Sequence, residues 1–455
     1  MVAPKGAGGR MQREKSVKKL GLVMCTALVV GNMIGSGVFL LPAALAPYGW
    51  NSIFGWGLTI AGGILLAVVF AALSGSMPRA GGPYAYAREA FGPMAGFLVG
   101  WSYWVSIWVG NAAVTIGSVS YLSMFFPSLE TTTGLHAAVT IAFIWLLTLV
   151  NCRGVLLAGG VQLVTTVLKL LPLFAVIILG AIVVAGDGGA SIAPYDAQSI
   201  GIGPIPAAAT LTLWGLLGLE SATVPAEKVH EPERTIPRAT MIGMALTGII
   251  YLFACSAVIL LLPADQIAKS GAPFADFVAA HWGAGAGKWL ALFAAISGFG
   301  ALNGWILLQG ELPHAMAKDG VFPSWFAKTS ARDTPVRALV VSSLLMTFVV
   351  ATNYTKSMTE LFTFIILLST TSSLFMYLVS ALAALELQAA KRLKGSLMLS
   401  VVGVLAAAYA LWTIYGAGGE AVKLGVALSF AGVPVYMLTR RARRAADASA
   451  TAQSP

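Results

Sequence analysis

Apolar residues in this chain do not alternate with polar ones. They gather in long runs separated by short polar, basic segments. The runs fall at roughly 20–46, 51–75, 92–122, 134–152, 158–185, 204–226, 239–262, 285–316, 337–353, 358–383, 397–416 and 421–438. A helix of about 20 apolar residues crosses a bilayer, whereas a barrel strand needs only about 10. Only helices and closed barrels satisfy their backbone in lipid. The pattern therefore predicts an all-α integral membrane protein with twelve spans.

Composition agrees with lipid as the solvent. The chain is 58% hydrophobic and 10% charged, against about 25% charged in soluble domains. Its 50 glycines suit helices that pack closely or break within a membrane. Residues 1–19 are polar and basic, with no cleavage site of small residues after the first apolar run, which predicts a cytoplasmic N-terminal tail rather than a removable signal. Residues 439–455 are basic, then Ala/Ser-rich, and read as a disordered cytoplasmic tail.

Charge adds orientation. A net charge of +10 would suggest nucleic acid in a soluble protein. Here, with the N-terminus inside, 23 of the 28 Lys and Arg residues fall in cytoplasmic segments, four fall outside and Lys169 lies within a span. That asymmetry predicts twelve spans with both termini in the cytoplasm. It accounts for the charge without nucleic acid and leaves weak attraction to membrane lipid headgroups. Cys25, Cys152 and Cys255 lie in or beside apolar runs without disulfide or zinc spacing. His136, His230, His281 and His314 are scattered, so neither a metal nor another cofactor is expected.

Two runs are interrupted. Val30 to Phe39 (VGNMIGSGVF) sets Gly35, Ser36 and Gly37 amid apolar residues, and Leu213 to Ser221 (LWGLLGLES) carries Gly215 and Gly218. The interruptions are about 180 residues apart, in spans one and six. Matching breaks in two halves point to a binding site between repeats. A break exposes amides at the start of one half-helix and carbonyls at the end of the other. Amides attract a carboxylate and carbonyls an ammonium, and an amino acid carries both. The Ser36 hydroxyl is a further donor.

These residues also resemble a known family. Gly31 to Pro42 (GNMIGSGVFLLP), Pro78 to Pro93 (PRAGGPYAYAREAFGP), Trp214 to Ala222, Val229 to Pro237 and Lys318 to Pro323 are similar to segments of the amino acid–polyamine–organocation superfamily. The nearest likeness is to basic amino acid/polyamine antiporters of the arginine/agmatine type. The resemblance implies the leucine-transporter fold. A ten-helix core, 20–383, would hold two inverted five-helix repeats (20–185 and 204–383), followed by two further helices at 397–438. It also implies alternating access and, often, a homodimer.

Carried over by position, it implies roles. Gly35, Ser36 and Gly37 would hold the substrate carboxylate, and carbonyls near Met33, Trp214 and Leu217 its amine. Trp305 would stack on a cationic head group and Asn111 would hydrogen-bond it, with Ser106 and Ile107 nearby. Tyr103 and Trp214 would gate the site, and Glu220 would serve the pH response. The tenth-helix stretch Phe364–Leu368 is apolar where the family pattern expects a serine.

Lys169 stands deep in the fifth span, where a charge costs at least about 2.5–3.5 kcal/mol and marks a functional candidate. It resembles a lysine that replaces sodium in proton-coupled members of the superfamily. Its ammonium would hold first-helix carbonyls, and loss of the proton would release them. The expected function is exchange of a cationic amino acid for an amine product. Two alternatives stand beside it: proton-coupled transport of neutral amino acids through Lys169, and a non-transporting amino acid sensor. No nucleophile–base group or metal-ligand spacing suggests an enzyme.

Overall fold

The computed structural model of the chain describes residues 20–35, 37–79, 81–153, 159–223, 226, 229–331 and 334–452, excluding the side chains of 159–167 and 445–452. The N-terminal tail and Ser36 lie outside the described residues.

Helices α1 (Leu22–Met33) and α2 (Gly37–Leu45) meet at a bend and together are long and apolar enough to cross a membrane. Then follow α3 (Trp50–Ser76), α4 (Pro83–Phe91), α5 (Pro93–Leu122), α6 (Ser128–Thr131), α7 (Leu135–Cys152), α8 (Gly159–Asp187) and α9 (Pro204–Gly215). The second half holds α10 (Pro232–Leu261), α11 (Ala264–Lys269), α12 (Pro273–Trp282), α13 (Ala284–Lys318), α14 (Val336–Thr352) and α15 (Met358–Ala389). It closes with α16 (Leu397–Gly416), α17 (Gly419–Phe430) and α18 (Gly432–Ala452). Among the described residues the protein is helical, without strands beyond one isolated bridge between Leu20 and Val229.

Boundaries follow local chemistry. Proline occupies the first turn of α4, α5, α9, α10 and α12, where its missing N–H costs nothing. Before α15, the Ser357 side chain accepts from the Glu360 N–H while Glu360 accepts from the Ser357 N–H, a reciprocal cap.

Nine helices among the described residues are long and apolar enough to cross a membrane, and the α1–α2 pair, bent by 44°, makes a tenth. Helix α14 is apolar but shorter. The run read as 204–226 is helical only through Gly215, with a 3-10 turn at Ser221–Thr223. The stretch from 439 to Ala452 is helical where its composition predicted disorder. Alanine and arginine are strong helix formers, so extending an existing helix is favoured.

Helix α5 lies innermost, buried along most of its length and packed on α13 and α15. Helix α1 packs on α10 and α8, and α9 on α3. The breaks in α1–α2 and after α9 thus sit beside the centre. At the periphery, Leu171, Phe174, Ile178 and Ile182 form an exposed apolar stripe on α8. At helical spacing such a stripe faces a neighbouring phase, here lipid.

Candidate functional site

The site begins where α1 stops. A helix end leaves carbonyls without N–H partners. Here Ile34 N–H still closes on Val30 O at 2.8 Å, but the chain then turns extended at Ile34. The next three carbonyls are capped by side chains from three other helices. Lys169 Nζ of α8 donates to Gly31 O at 3.0 Å, Trp305 Nε1 of α13 to Asn32 O at 3.0 Å, and the Tyr251 hydroxyl of α10 to Met33 O at 2.8 Å.

Beyond the break, α2 restarts at Gly37, and its first amides have no acceptor within the helix. The Trp214 indole lies against this point: a Cβ built on Gly37 would fall 1.7 Å from Trp214 Cη2. Trp214 in turn packs edge-on against Phe362, with centroids 5.3 Å apart. The second break follows Gly215. Leu216 and Leu217 N–H turn back on Leu213 and Trp214 carbonyls at 2.9 and 3.2 Å. Gly218 has φ +105° and lies against Asn32 and Trp305, a left-handed turn that favours glycine.

Between the breaks lies a cavity of ≈ 530 Å³, its mouth included. Met33, Gly35 and Gly37 line it from the first break, and Trp214, Leu217 and Glu220 from the second. Tyr103, Ser106, Ile107 and Asn111 of α5 and Trp305 of α13 complete the part of the wall anticipated from sequence. Ser36 lies outside the described residues. Lys169 is not in the wall; it stands one layer back, 1% exposed, holding Gly31.

The expectation of an apolar tenth-helix wall needs correcting. Helix α15 presents Ser369 and Ser373 to the cavity. Ser369 Oγ donates to Ser106 O at 2.9 Å, and the Ser106 and Ser373 hydroxyls share a short hydrogen bond. Phe364–Leu368 form the preceding turn of α15. The Ser369–Ser373 run (STTSS) was the available signal. Asn32, Val38, Gly110 and Val114 also line the cavity without having been singled out.

Lys169 and Glu220 are the buried Lys, Arg, Asp or Glu side chains among the described residues. Glu220 accepts from the Tyr377 hydroxyl at 2.7 Å, and Tyr103 faces the same carboxylate. Asn111 Nδ2 donates to Gln309 Oε1 at 2.8 Å. No group of three or more His, Cys, Asp or Glu residues suited to a metal ion occurs among the described residues. The wall thus offers helix-end amides and carbonyls, two indoles, a neutral amide, hydroxyls and one carboxyl group. That set has the donors and acceptors that a small zwitterion or amine requires.

Comparison with known proteins points the same way. A family model described as an amino acid permease matches residues 20–436. The chain is 34% identical to a putative arginine/ornithine antiporter of Bacillus subtilis (strain 168), over 93% of this chain and 97% of that protein. It is 37% identical to the cadaverine/lysine antiporter of Escherichia coli (strain K12), over 73% of this chain and 74% of that protein. It is 30% identical to the putrescine transporter PotE of Haemophilus influenzae, over 92% and 96%.

Proposed function

The chain belongs to the amino acid permease family, and from that premise we propose that it exchanges a cationic amino acid for an amine across a bacterial inner membrane. The observation that carries this reading is the cavity bounded by two broken helices, with Trp305 and Asn111 in its wall. The relatives named for arginine, ornithine, lysine, cadaverine and putrescine handle solutes with a cationic nitrogen at the end of an aliphatic chain.

In this mechanism the amides that open α2, with Ser36, take the α-carboxylate. Carbonyls at Met33, Trp214 and Leu217 take the α-amine. The substrate's far end lies along the Trp305 face, where a cation gains about 0.5–2 kcal/mol, and reaches Asn111. Amines lacking a carboxylate forgo the first contact and keep the rest. In the described conformation Trp214 lies over Gly37, so the indole must turn aside before a carboxylate reaches the amides. Tyr103 and Trp214 are the gates, and Glu220 with Tyr377 supplies the pH response. Alternating access follows from rocking of two inverted five-helix repeats within twelve spans. Both termini are cytoplasmic, and the chain assembles as a homodimer.

A second reading is favoured by one contact. The bond from Lys169 to Gly31 O at 3.0 Å is where a proton would tighten or release α1, as proton-coupled uptake of neutral amino acids requires.

Purified protein in liposomes separates these readings. Labelled arginine, ornithine, lysine, leucine and methionine are offered with and without trans substrate and a pH gradient. Exchange predicts uptake of the cationic members only against trans substrate. Uptake driven by the pH gradient into empty vesicles would favour the second reading. Binding with no counterflow would make the protein a sensor.

A further inference from the structure

An asparagine side chain carries both donors and an acceptor, so what Asn111 offers a substrate depends on which way its amide is turned. We propose that a buried hydrogen-bond chain anchored on the α7 backbone turns the Asn111 carbonyl oxygen to the cavity, selecting substrates whose far end bears N–H donors, with Gln309 as the positioning residue. This deepens the exchange reading and rests on it.

The polarity can be followed link by link. Thr148 Oγ1 lies 2.7 Å from Ile144 O. A carbonyl only accepts, so the threonine proton is committed there. Thr148 Oγ1 also lies 2.6 Å from Ser343 Oγ, and the proton in that bond must come from Ser343. Ser343 then has no proton left for Gln309, so Gln309 Nε2 donates to it at 3.3 Å. That turns Gln309 Oε1 to Asn111, which donates from Nδ2 at 2.8 Å. The Asn111 carbonyl oxygen remains for the cavity that this residue lines.

The chain is buried and pinned. Thr148, Ser343 and Gln309 are fully buried and Asn111 is 2% exposed. Reversing any link sets two donors or two acceptors against each other, and in a buried network such a mismatch carries the full desolvation penalty. Gln309 is held from its backbone as well. Pro313 lacks the N–H that would bond Gln309 O within α13. The freed carbonyl accepts instead from Trp104 Nε1 at 3.1 Å and Ser342 Oγ at 3.3 Å. A guanidinium or ammonium offers only donors and matches the exposed oxygen, whereas an aliphatic side chain leaves it unpaired.

The test compares arginine and lysine with norleucine, an aliphatic neutral amino acid, by KM in liposomes and by calorimetric binding. Gln309→Met keeps the volume and removes both the donor and the acceptor of the amide. Thr148→Val breaks the chain at the end remote from the cavity, and Thr148→Ser keeps its hydroxyl. The expected result is a roughly tenfold weaker KM for the cations in Gln309→Met, the worth of one hydrogen bond to a charged group, with norleucine unchanged. Thr148→Val should shift the cation-to-neutral ratio in the same direction, and Thr148→Ser should restore it. An unchanged ratio in Thr148→Val, or equal weakening of both substrate classes, overturns the chain while leaving exchange intact. A wild-type protein that binds no cationic amino acid or amine overturns both.

Discussion

At the scale of single residues, two wall positions that look alike in sequence prove different. Gly35 and Gly37 flank Ser36 in one motif. A Cβ on Gly35 would meet Ala301 at an ordinary 3.7 Å, but on Gly37 it would overlap Trp214. Gly35→Ala should therefore retain most exchange, while Gly37→Ala should lose more than tenfold in uptake at normal expression. Adding Trp214→Leu to Gly37→Ala should recover binding, measured by calorimetry. Trp305 both lines the cavity and donates its N–H to Asn32 O. Trp305→Phe keeps a face and drops the bond, so it should weaken cationic and neutral substrates together. Trp305→Leu should weaken the cationic ones most; equal losses in Trp305→Leu would argue against stacking. Lys169→Ala leaves Gly31 O unpaired, at a cost of about 1–3 kcal/mol, readable as a lower Tm. If Lys169 carries the coupling proton, the variant's uptake also loses its pH dependence; an unaltered profile removes that role. The glycines and tryptophans were legible because they stand in short contiguous motifs. Ser369, Ser373 and Gln309 were not. Their roles depend on how far α15 and α13 are rotated about their own axes, which no local spacing encodes.

At the scale of elements, paired glycines announced both breaks, since glycine lowers the cost of leaving the helix. The extent of the second break was hidden, because Leu216, Leu217 and Leu219 carry the apolar pattern past Gly215 and read as continuing helix. Beside the membrane, α4 is tied to the end of α13: the Tyr84 hydroxyl and Arg88 reach Asp319 at 3.1 and 3.3 Å. Burial, reinforced by the Asp319 charge, pushes the Tyr84 phenol up to about 12. A raised value favours the neutral form, so Tyr84 remains a donor at every pH below that. The phenol's half of the tie is then unchanged through neutral pH. The Arg88–Asp319 part is solvent-exposed and worth at most about 1 kcal/mol. Asp319→Asn should change the exchange rate without altering the shape of its pH profile. A displaced profile would assign pH sensing to this contact.

At the scale of the molecule, run length and charge deficit were enough for an all-helical membrane protein, because lipid permits few solutions. The number of spans was less legible. Short helices fail a length criterion even where they are apolar, as α14 does, and α1 and α2 meet it only as a pair. Sidedness rests on the distribution of Lys and Arg, and it can be checked directly. Lys356→Cys and Arg444→Cys, in a background without Cys25, Cys152 and Cys255, should react with an impermeant maleimide from opposite sides. Lys356→Cys should label in intact cells and Arg444→Cys only after permeabilisation. Labelling of both from one side would contradict twelve spans with cytoplasmic termini.

The end of α1 has a mechanical consequence. Three consecutive carbonyls are tethered to α8, α10 and α13, so none of those helices can swing without stretching a bond at one shared stub. That stub adds up three displacements, as a tripod head does. Losing one leg leaves two, so single substitutions there should tune the joint, and double ones should cost more than their sum. Such redundancy lets a lineage exchange the chemistry of one tether, ammonium for hydroxyl or indole, while the hinge stays in working order.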